Sequence, residues 1–478
     1  MSVAALAVRE QPARTDRRML SFQEQDSPMT GFPKDFIFGA ATSAYQIEGA
    51  ILEDGKGWSV CDAFFGTPGK SWNNQNGSTA CDHYHRYLDD VAIMKEIGLQ
   101  AYRFSFSWPR ILPQGTGTPN AKGIAFYDRL IDALLAAGVQ PWATLFHWDY
   151  PYKLYKRGGW LNPDSPLWFA EYTAVVIDRF SDRITHWLTL NEPQCFIGNG
   201  HHSGTQAPGL KLSWAETLQA AHHALLAHGR AVSTIRARAK KPAIVGYAPV
   251  GCVYMPVDSD PRNIKAAYDE SFAVRAKPEV WNCAWWMDPV YLGTYPGDGV
   301  KLYEADMPKI GADDMKTISQ PLDCIGTNMY QASYCRQRAD GTRERLDHAA
   351  GIPLTTYTWP ITPDVLYWGP KFLHERYKKP VVITENGMAN VDMVFRDGKV
   401  HDPQRCEYID LHLDAVSRAM ADGVPIHGYF YWSLMDNFEW EHGYRHRFGL
   451  VHVDFESQKR ILKDSAYRYR DIIARRNV

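Results

Sequence analysis

Long apolar runs are missing from this 478-residue chain. None approaches the ~18 residues that suggest a membrane-spanning helix. An excess of either charge sign is missing too: 52 Lys and Arg stand against 54 Asp and Glu, a formal net charge of -2. Such a balance provides no electrostatic footprint for nucleic acid or an anionic membrane surface, so neither is expected as a partner. The eight cysteines form no C-x-x-C pair. That spacing implies neither a zinc site nor a disulfide framework, and scattered, mostly apolar-flanked thiols fit a reducing, cytoplasmic setting.

Other signals are incomplete. His83 and His85 form an H-x-H without a cysteine or carboxylate at ligand spacing, and Gly115 to Gly123 lacks the phosphate-cradling pattern. No metal and no cofactor is expected. His201-His202 and His222-His223 read as surface residues of a loop and a helix. A secretory signal needs basic residues before its apolar run, whereas here Val3 to Val8 precedes Arg14, Arg17 and Arg18. Residues 1–30 are expected to be a disordered extension, with Met19 and Met29 as alternative starts, and residues 31–478 to form one domain.

No Pro-, Gly- or Ser-rich linker divides the remainder. Short β-branched and aromatic runs alternate instead with helical patterns, which argues for βα units around a parallel sheet. The runs are Phe36 to Thr42, Ala101 to Trp108, Gln140 to Trp148, His186 to Asn191, Ala243 to Pro249, Leu322 to Tyr330, Pro380 to Glu385 and Ile426 to Leu434. Continuous rather than alternating hydrophobicity suits parallel strands buried on both faces. Helices are expected over Tyr84 to Ile97, Gly123 to Ala137, Leu167 to Phe180, Trp214 to Ala237, Pro363 to Tyr377, Pro403 to Met420 and Ser465 to Ala474. Eight such units predict an α/β, single-domain (β/α)8 TIM barrel with long βα loops, the largest over Asp54 to Ala80 and Gly251 to Lys316.

In such barrels chemistry sits at the C-terminal strand ends. A polar residue at one strand end is an ordinary turn or cap. Here, however, seven ends bring polar groups together: Gln46 and Glu48, Arg103, His147-Trp148-Asp149, Asn191-Glu192, Asn328 and Tyr330, Glu385-Asn386, and Trp432 through Asp436 to Glu439 and Trp440. Glu192 and Glu385 each end an apolar run beside an asparagine. Glycoside hydrolysis needs such a pair, one carboxyl protonated to donate to the leaving oxygen and one ionised to attack the anomeric carbon. The alternative is a buried ion pair with Arg103. A nearby Arg103 would keep one carboxylate ionised, and that charge would raise the pKa of the other. The aromatic content, with 16 Trp, fits either a large core or a sugar site, where pyranose C–H faces stack on rings.

From Phe32 onward the motifs occur in order: Phe36-Ile37-Phe38-Gly39-Ala40-Ala41-Thr42-Ser43-Ala44-Tyr45-Gln46-Ile47-Glu48-Gly49, Tyr102-Arg103-Phe104-Ser105-Phe106-Ser107-Trp108, Thr189-Leu190-Asn191-Glu192-Pro193, Ile383-Thr384-Glu385-Asn386-Gly387 and Trp432-Ser433-Leu434-Met435-Asp436-Asn437-Phe438-Glu439-Trp440. The chain thereby resembles glycoside hydrolase family 1, the β-glucosidase family. The resemblance implies a retaining β-glucosidase with Glu192 as acid/base and Glu385 as nucleophile. It also implies Gln46, His147, Asn191, Glu439 and Trp440 on the sugar hydroxyls, with Trp148 beside them, and Trp432 as stacking platform. Tyr330 would hydrogen-bond the nucleophile with Asn328 close by, and Phe448 would line the pocket. Trp168 looks like the aromatic that contacts the leaving group, although its place in a helical pattern equally suits a helix core.

Glu439 followed by Trp440 is similar to members acting on unphosphorylated sugars, and Glu192 separates the chain from thioglucosidases with Gln there. Tyr150 and Tyr152 around Pro151, and Gln194 after Asn-Glu-Pro, depart from the family pattern where the leaving group is expected to pass. Small β-glucosides and cello-oligosaccharides are the expected substrates, with β-fucosides and β-galactosides as side activities. A transglycosidase using the same intermediate is the alternative, kept open by Tyr150, Tyr152 and Trp168. A sugar-binding relative without catalysis would lack one carboxylate.

Overall fold

The computed structural model describes residues 31–475, so the expected disordered extension over 1–30 lies outside the described residues. Eight strands form one parallel sheet: β1 (Ile37–Ala41), β2 (Ala101–Ser105), β3 (Gln140–Phe146), β4 (His186–Asn191), β5 (Ile244–Ala248), β6 (Ile325–Asn328), β7 (Val381–Asn386) and β8 (Ile426–Trp432). They pair in the order β5-β4-β3-β2-β1-β8-β7-β6. Backbone bonds from Asn328 N–H to Pro249 O (3.0 Å) and Asp323 N–H to Val245 O (2.9 Å) join β5 to β6 and close the ring. The strands are buried almost throughout, which is why they read as unbroken apolar runs.

Seven long helices wrap the sheet: α1 (His83–Ile97), α2 (Ala121–Ala136), α3 (Ser165–Phe180), α4 (Trp214–Arg238), α5 (Val365–Tyr377), α6 (Pro403–Ala421) and α7 (Asp464–Arg475). Their ends follow local chemistry. Ser213 and Glu216 form a reciprocal capping box at the start of α4. Gly98, at φ 77°, closes α1 in the left-handed conformation that a Cβ disfavours. Trp142 and Phe430 fill the barrel interior with Ala41, Ala101, Cys324 and Val382. Gly39 makes room there, since a Cβ would stand 2.5 Å from the Phe430 ring.

The TIM-barrel fold is therefore as expected, with local corrections. The second run stops at Ser105, and Trp108–Ile111 is a helical turn; the third stops at Phe146 and the sixth spans only Ile325–Asn328. Beyond those points the chain turns out of the ladder to present side chains. The stretch from Gly251 to Lys316 is not a plain loop. It folds into a short strand (Tyr254–Pro256) and helices over Pro261–Ser271, Ala284–Tyr291, Gly297–Tyr303 and Asp314–Ile318, and the last of these packs on α4. His201, His222 and His223 are buried rather than superficial: His201 Nδ1 bonds Phe196 O, His222 joins Tyr295 and Asp314, and His223 Nδ1 bonds Trp160 O. Burial pushes their basicity down, so they pack as neutral rings.

Candidate active site

Arg103, on β2, ties the C-terminal strand ends together from inside the barrel. Its guanidinium is fully buried and donates to Thr144 Oγ1 on β3 (3.2 Å), Asn191 Oδ1 on β4 (2.6 Å), and Thr384 O (3.0 Å) and Glu385 Oε1 (2.5 Å) on β7. A planar, permanently charged fork suits this task, because it satisfies several acceptors in one plane. Tyr330, two residues past β6, donates its hydroxyl to Glu385 Oε2 at 2.7 Å. Both Glu385 oxygens thus accept a hydrogen bond, and both bonds favour the carboxylate.

Glu192 follows the last residue of β4 with φ at 43°, in the left-handed region. Its Oε1 accepts from Asn328 Nδ2 (2.8 Å) and its Oε2 from Cys195 Sγ (3.2 Å). Asn328 also bonds Asn191 Oδ1 at 3.0 Å and helps to hold Glu385 as an anion. Burial and the negative charge of Glu385 push the Glu192 carboxyl up to about 8. Burial also raises Glu385, opposed by Arg103 and Tyr330. The two carboxyls share a low-dielectric space in which, among the described residues, Arg103 is the cation bonded to the pair, so burial favours a proton held between them. The direct Arg103 bond leaves that proton on Glu192.

Both line one cavity of about 560 Å³ with His147, Trp148, Asn328, Tyr330, Trp432, Glu439, Trp440 and Phe448. His147 is buried and held neutral by desolvation and by Arg103. Its Nε2 faces the Asn191 amide at 3.1 Å, and its buried Nδ1 has no hydrogen-bond partner among the described residues. The His147 ring is stacked against the Trp432 indole at 5.9 Å between centroids, and Trp148 packs on Trp440 at 4.4 Å. Glu439 is pushed well up, first by burial and then by the charge of Glu441. Among the described residues no Lys or Arg lines the cavity.

Some sequence-derived candidates lie elsewhere. Gln46 is fully buried behind Glu439, with Oε1 taken by Ser43 and Nε2 shared among Asn437 Oδ1, Phe438 O and Glu439 Oε2. Asn191 likewise sits beneath the cavity wall, between Arg103 and His147. Trp168 is a correction: it packs within α3 under the Arg157 guanidinium at 4.3 Å, outside the cavity. Its helix-core reading is the one the packing supports. Tyr150 is buried against Trp108 and Trp160, Tyr152 lies against Trp58 and Tyr155, and Gln194 is tied to Val250 on both sides. None of the three lines the cavity.

Several lining residues escaped the sequence reading: Cys195, Gln206, Tyr254, Trp281, Tyr357, Trp359 and Glu441. Gln206 Nε2 donates to Glu441 Oε2 at 2.9 Å, and Tyr357 and Trp359 pack together at 4.4 Å. Trp281 is half exposed at the rim. Glu441 and the Tyr357–Trp359 pair could have been suspected, one from its spacing to Glu439 and the other from aromatic density. Trp281 carries no such signal, because its position depends on the fold of the Gly251–Lys316 segment.

A closed (β/α)8 barrel with two buried, differently supported carboxyls in a polar-and-aromatic cavity defines the class of barrel glycoside hydrolases. The chain belongs to glycosyl hydrolase family 1, whose model matches residues 29–478. It is 42% identical over 446 residues to a 1,4-beta-D-glucan glucohydrolase of Thermotoga neapolitana, covering 93% of this chain and 98% of that protein. It is 43% identical to Beta-glucosidase A of Acetivibrio thermocellus, with 92% and 98% covered. The fold matches that of a family 1 b-glucosidase from Thermotoga maritima with a TM-score of 0.85 at 40% identity, over 93% of this chain and 99% of that one. That Thermotoga maritima fold has also been solved in complex with deoxynojirimycin. The protein is an enzyme, a glycoside hydrolase. Among the described residues no helix is long and apolar enough to cross a membrane.

Proposed function

We propose that the protein is a retaining β-glucosidase that removes terminal β-D-glucosyl residues from small β-glucosides and cello-oligosaccharides. The observation that carries this reading is the asymmetry of the two carboxyls. Glu385 accepts from Arg103 and Tyr330, whereas Glu192 has only an amide and a thiol and the higher proton affinity. In the first step Glu385 attacks the anomeric carbon, the bond to the leaving oxygen breaks, and Glu192 gives that oxygen its proton. Esterification removes the Glu385 charge, which lowers the Glu192 pKa. Glu192 then takes a proton from water as its oxygen attacks the same carbon, and Glu385 leaves as carboxylate. Trp432 would support the sugar face. His147, Glu439 and Trp440 would meet hydroxyls directly, while Gln46 and Asn191 act through Glu439 and His147. Hydroxyl partners that can both donate and accept leave β-fucosides and β-galactosides as side substrates.

The aromatic lining of the cavity favours a second reading. Val253, Tyr254, Trp281, Tyr357 and Trp359 are apolar or aromatic residues of the cavity lining on which an acceptor alcohol or sugar could stack and intercept the intermediate in place of water. Product analysis with rising acceptor concentration separates the two outcomes.

Incubation with an activated 2-deoxy-2-fluoro-β-glucoside, intact mass and peptide mapping test the main reading. The expected result is one fluoroglucosyl adduct on the peptide containing Glu385. Folded protein that cleaves aryl β-glucosides but forms no adduct would sink the covalent mechanism. Neither adduct nor cleavage would point to another sugar or to a binding protein.

A further inference from the structure

Glu192 meets an unusual partner. Cys195 is buried, lines the cavity, and its Sγ lies 3.2 Å from Glu192 Oε2. The backbone builds this contact. Glu192 turns into the left-handed region, Cys195 N–H donates to Glu192 O at 2.9 Å, and a π-helix opens at Gln194. The residue three places on is thereby folded back over the carboxyl. Helices of this rare type recur at functional sites.

We propose that Cys195 is a positioning residue for Glu192, its S–H donating to Oε2 so as to fix the carboxyl's orientation and support its anionic form when it acts as base. The proposal rests on the reading of Glu192 as the acid/base. In the ionised carboxyl both oxygens accept, Oε1 from Asn328 and Oε2 from Cys195. Adding a proton to Oε2 displaces the thiol, the weaker donor, and leaves the amide in place. The contact therefore strengthens after the glycosyl-enzyme has formed and loosens when Glu192 holds its proton.

The surroundings give the thiol leverage. Glu385 faces Glu192 as a like charge and Glu439 as a further carboxyl that burial pushes toward its neutral form, Arg103 is the opposing cation, and Tyr330, Tyr357 and Cys252 are neutral neighbours. Burial and the Glu192 charge push the Cys195 thiol far up, so it stays a donor and not a thiolate nucleophile.

The test compares wild type, Cys195→Ala, Cys195→Ser and Glu192→Gln in pH profiles of kcat/KM and in kcat on an aryl glucoside with a good leaving group, where hydrolysis of the intermediate limits. Cys195→Ala is expected to move the basic limb to higher pH and to lower that kcat about 3- to 10-fold, the range of one modest hydrogen bond. Serine, a better donor in the same place, is expected to restore both. An unmoved limb and unchanged kcat in Cys195→Ala would overturn the proposal, as would a serine variant no better than alanine. Glu192→Gln separates the two layers. If it abolishes the basic limb while Cys195→Ala does nothing, only the thiol's role fails. If it leaves the limb intact, the acid/base reading fails first.

Discussion

Two buried charge clusters lie near the C-terminal end of the barrel, and they are built on opposite rules. Behind β8, Asp392, Asp402 and Asp436 meet Arg405, Arg447 and Lys463. Lys463 Nζ lies 2.5 Å from Asp392 and 2.7 Å from Asp436, Arg405 pairs with Asp392 and Asp402, and Arg447 with Asp436. Cations and carboxylates match in number. Lys463 and Arg447 hold Asp436 down to about 2, although burial lifts Asp402. In the cavity Glu192, Glu385, Glu439 and Glu441 are all pushed up, first by burial, and among the described residues the Arg103 guanidinium bonds only Glu385 of the four. A balanced cluster gives each carboxylate a cation of its own and is structural. An unbalanced one must hold protons, and a held proton can be delivered. Burial is shared by both regions, so what separates them is whether each carboxylate has its own cation.

The largest effect should come from removing the best-supported cavity carboxylate. Glu385→Gly is expected to lower kcat on the order of 10⁴-fold or more, as losing a nucleophile does elsewhere, with the fold retained by circular dichroism. External azide or formate should restore part of the turnover by filling the space. Activity within tenfold of wild type would place Glu385 with the structural carboxylates instead.

Glu192 should give a smaller and leaving-group-dependent loss. Glu192→Ala is expected to cost about 10²- to 10⁴-fold on poor leaving groups and much less on the first step with good ones. The pH profile carries the sign. A carboxyl raised to about 8 is protonated below that pH and competent as an acid, so kcat/KM should fall as pH rises through about 8. That basic limb should vanish in the variant. A limb that persists there would belong to another group.

The balanced cluster should respond in stability and not in chemistry. Lys463→Met leaves Asp392 and Asp436 buried without their shared cation, and breaking such a network typically costs about 3–5 kcal/mol. Urea unfolding should show that loss, while kcat per folded molecule stays within about twofold. A large fall in kcat with unchanged stability would erase the distinction between the clusters.

What the sequence disclosed follows the same division. The strands were readable because double-sided burial writes continuous apolar runs, and Glu192 and Glu385 because each is a charge at the end of such a run. Arg103 stood out as a charge inside such a run. The balanced cluster was not readable: its members are scattered from Asp392 to Lys463, and isolated charges look like surface. Gln46 and Asn191 were found, but their indirect position was not, because a motif marks a neighbourhood without saying which side chain faces the cavity. Trp168 was drawn into the site by its type, and only packing under Arg157 assigns it to the helix core.

The rim should give the smallest effect and the sharpest information on leaving groups. Trp281 is half exposed and lines the cavity beside Tyr254, whose ring lies 5.0 Å from the Arg345 guanidinium. An exposed indole at a sugar-processing cavity offers a flat apolar face to a ring beyond the cleaved bond. Removing it forfeits roughly 1 kcal/mol of stacking, about a fivefold change. Trp281→Ala is therefore expected to lower kcat/KM several-fold for the longer cello-oligosaccharides, mainly through KM, and to leave a simple aryl glucoside unchanged. A uniform loss across all chain lengths would mean that Trp281 only props the Gly251–Lys316 segment. No loss at any length would mean that the cleaved chain leaves over Tyr357 and Trp359 instead.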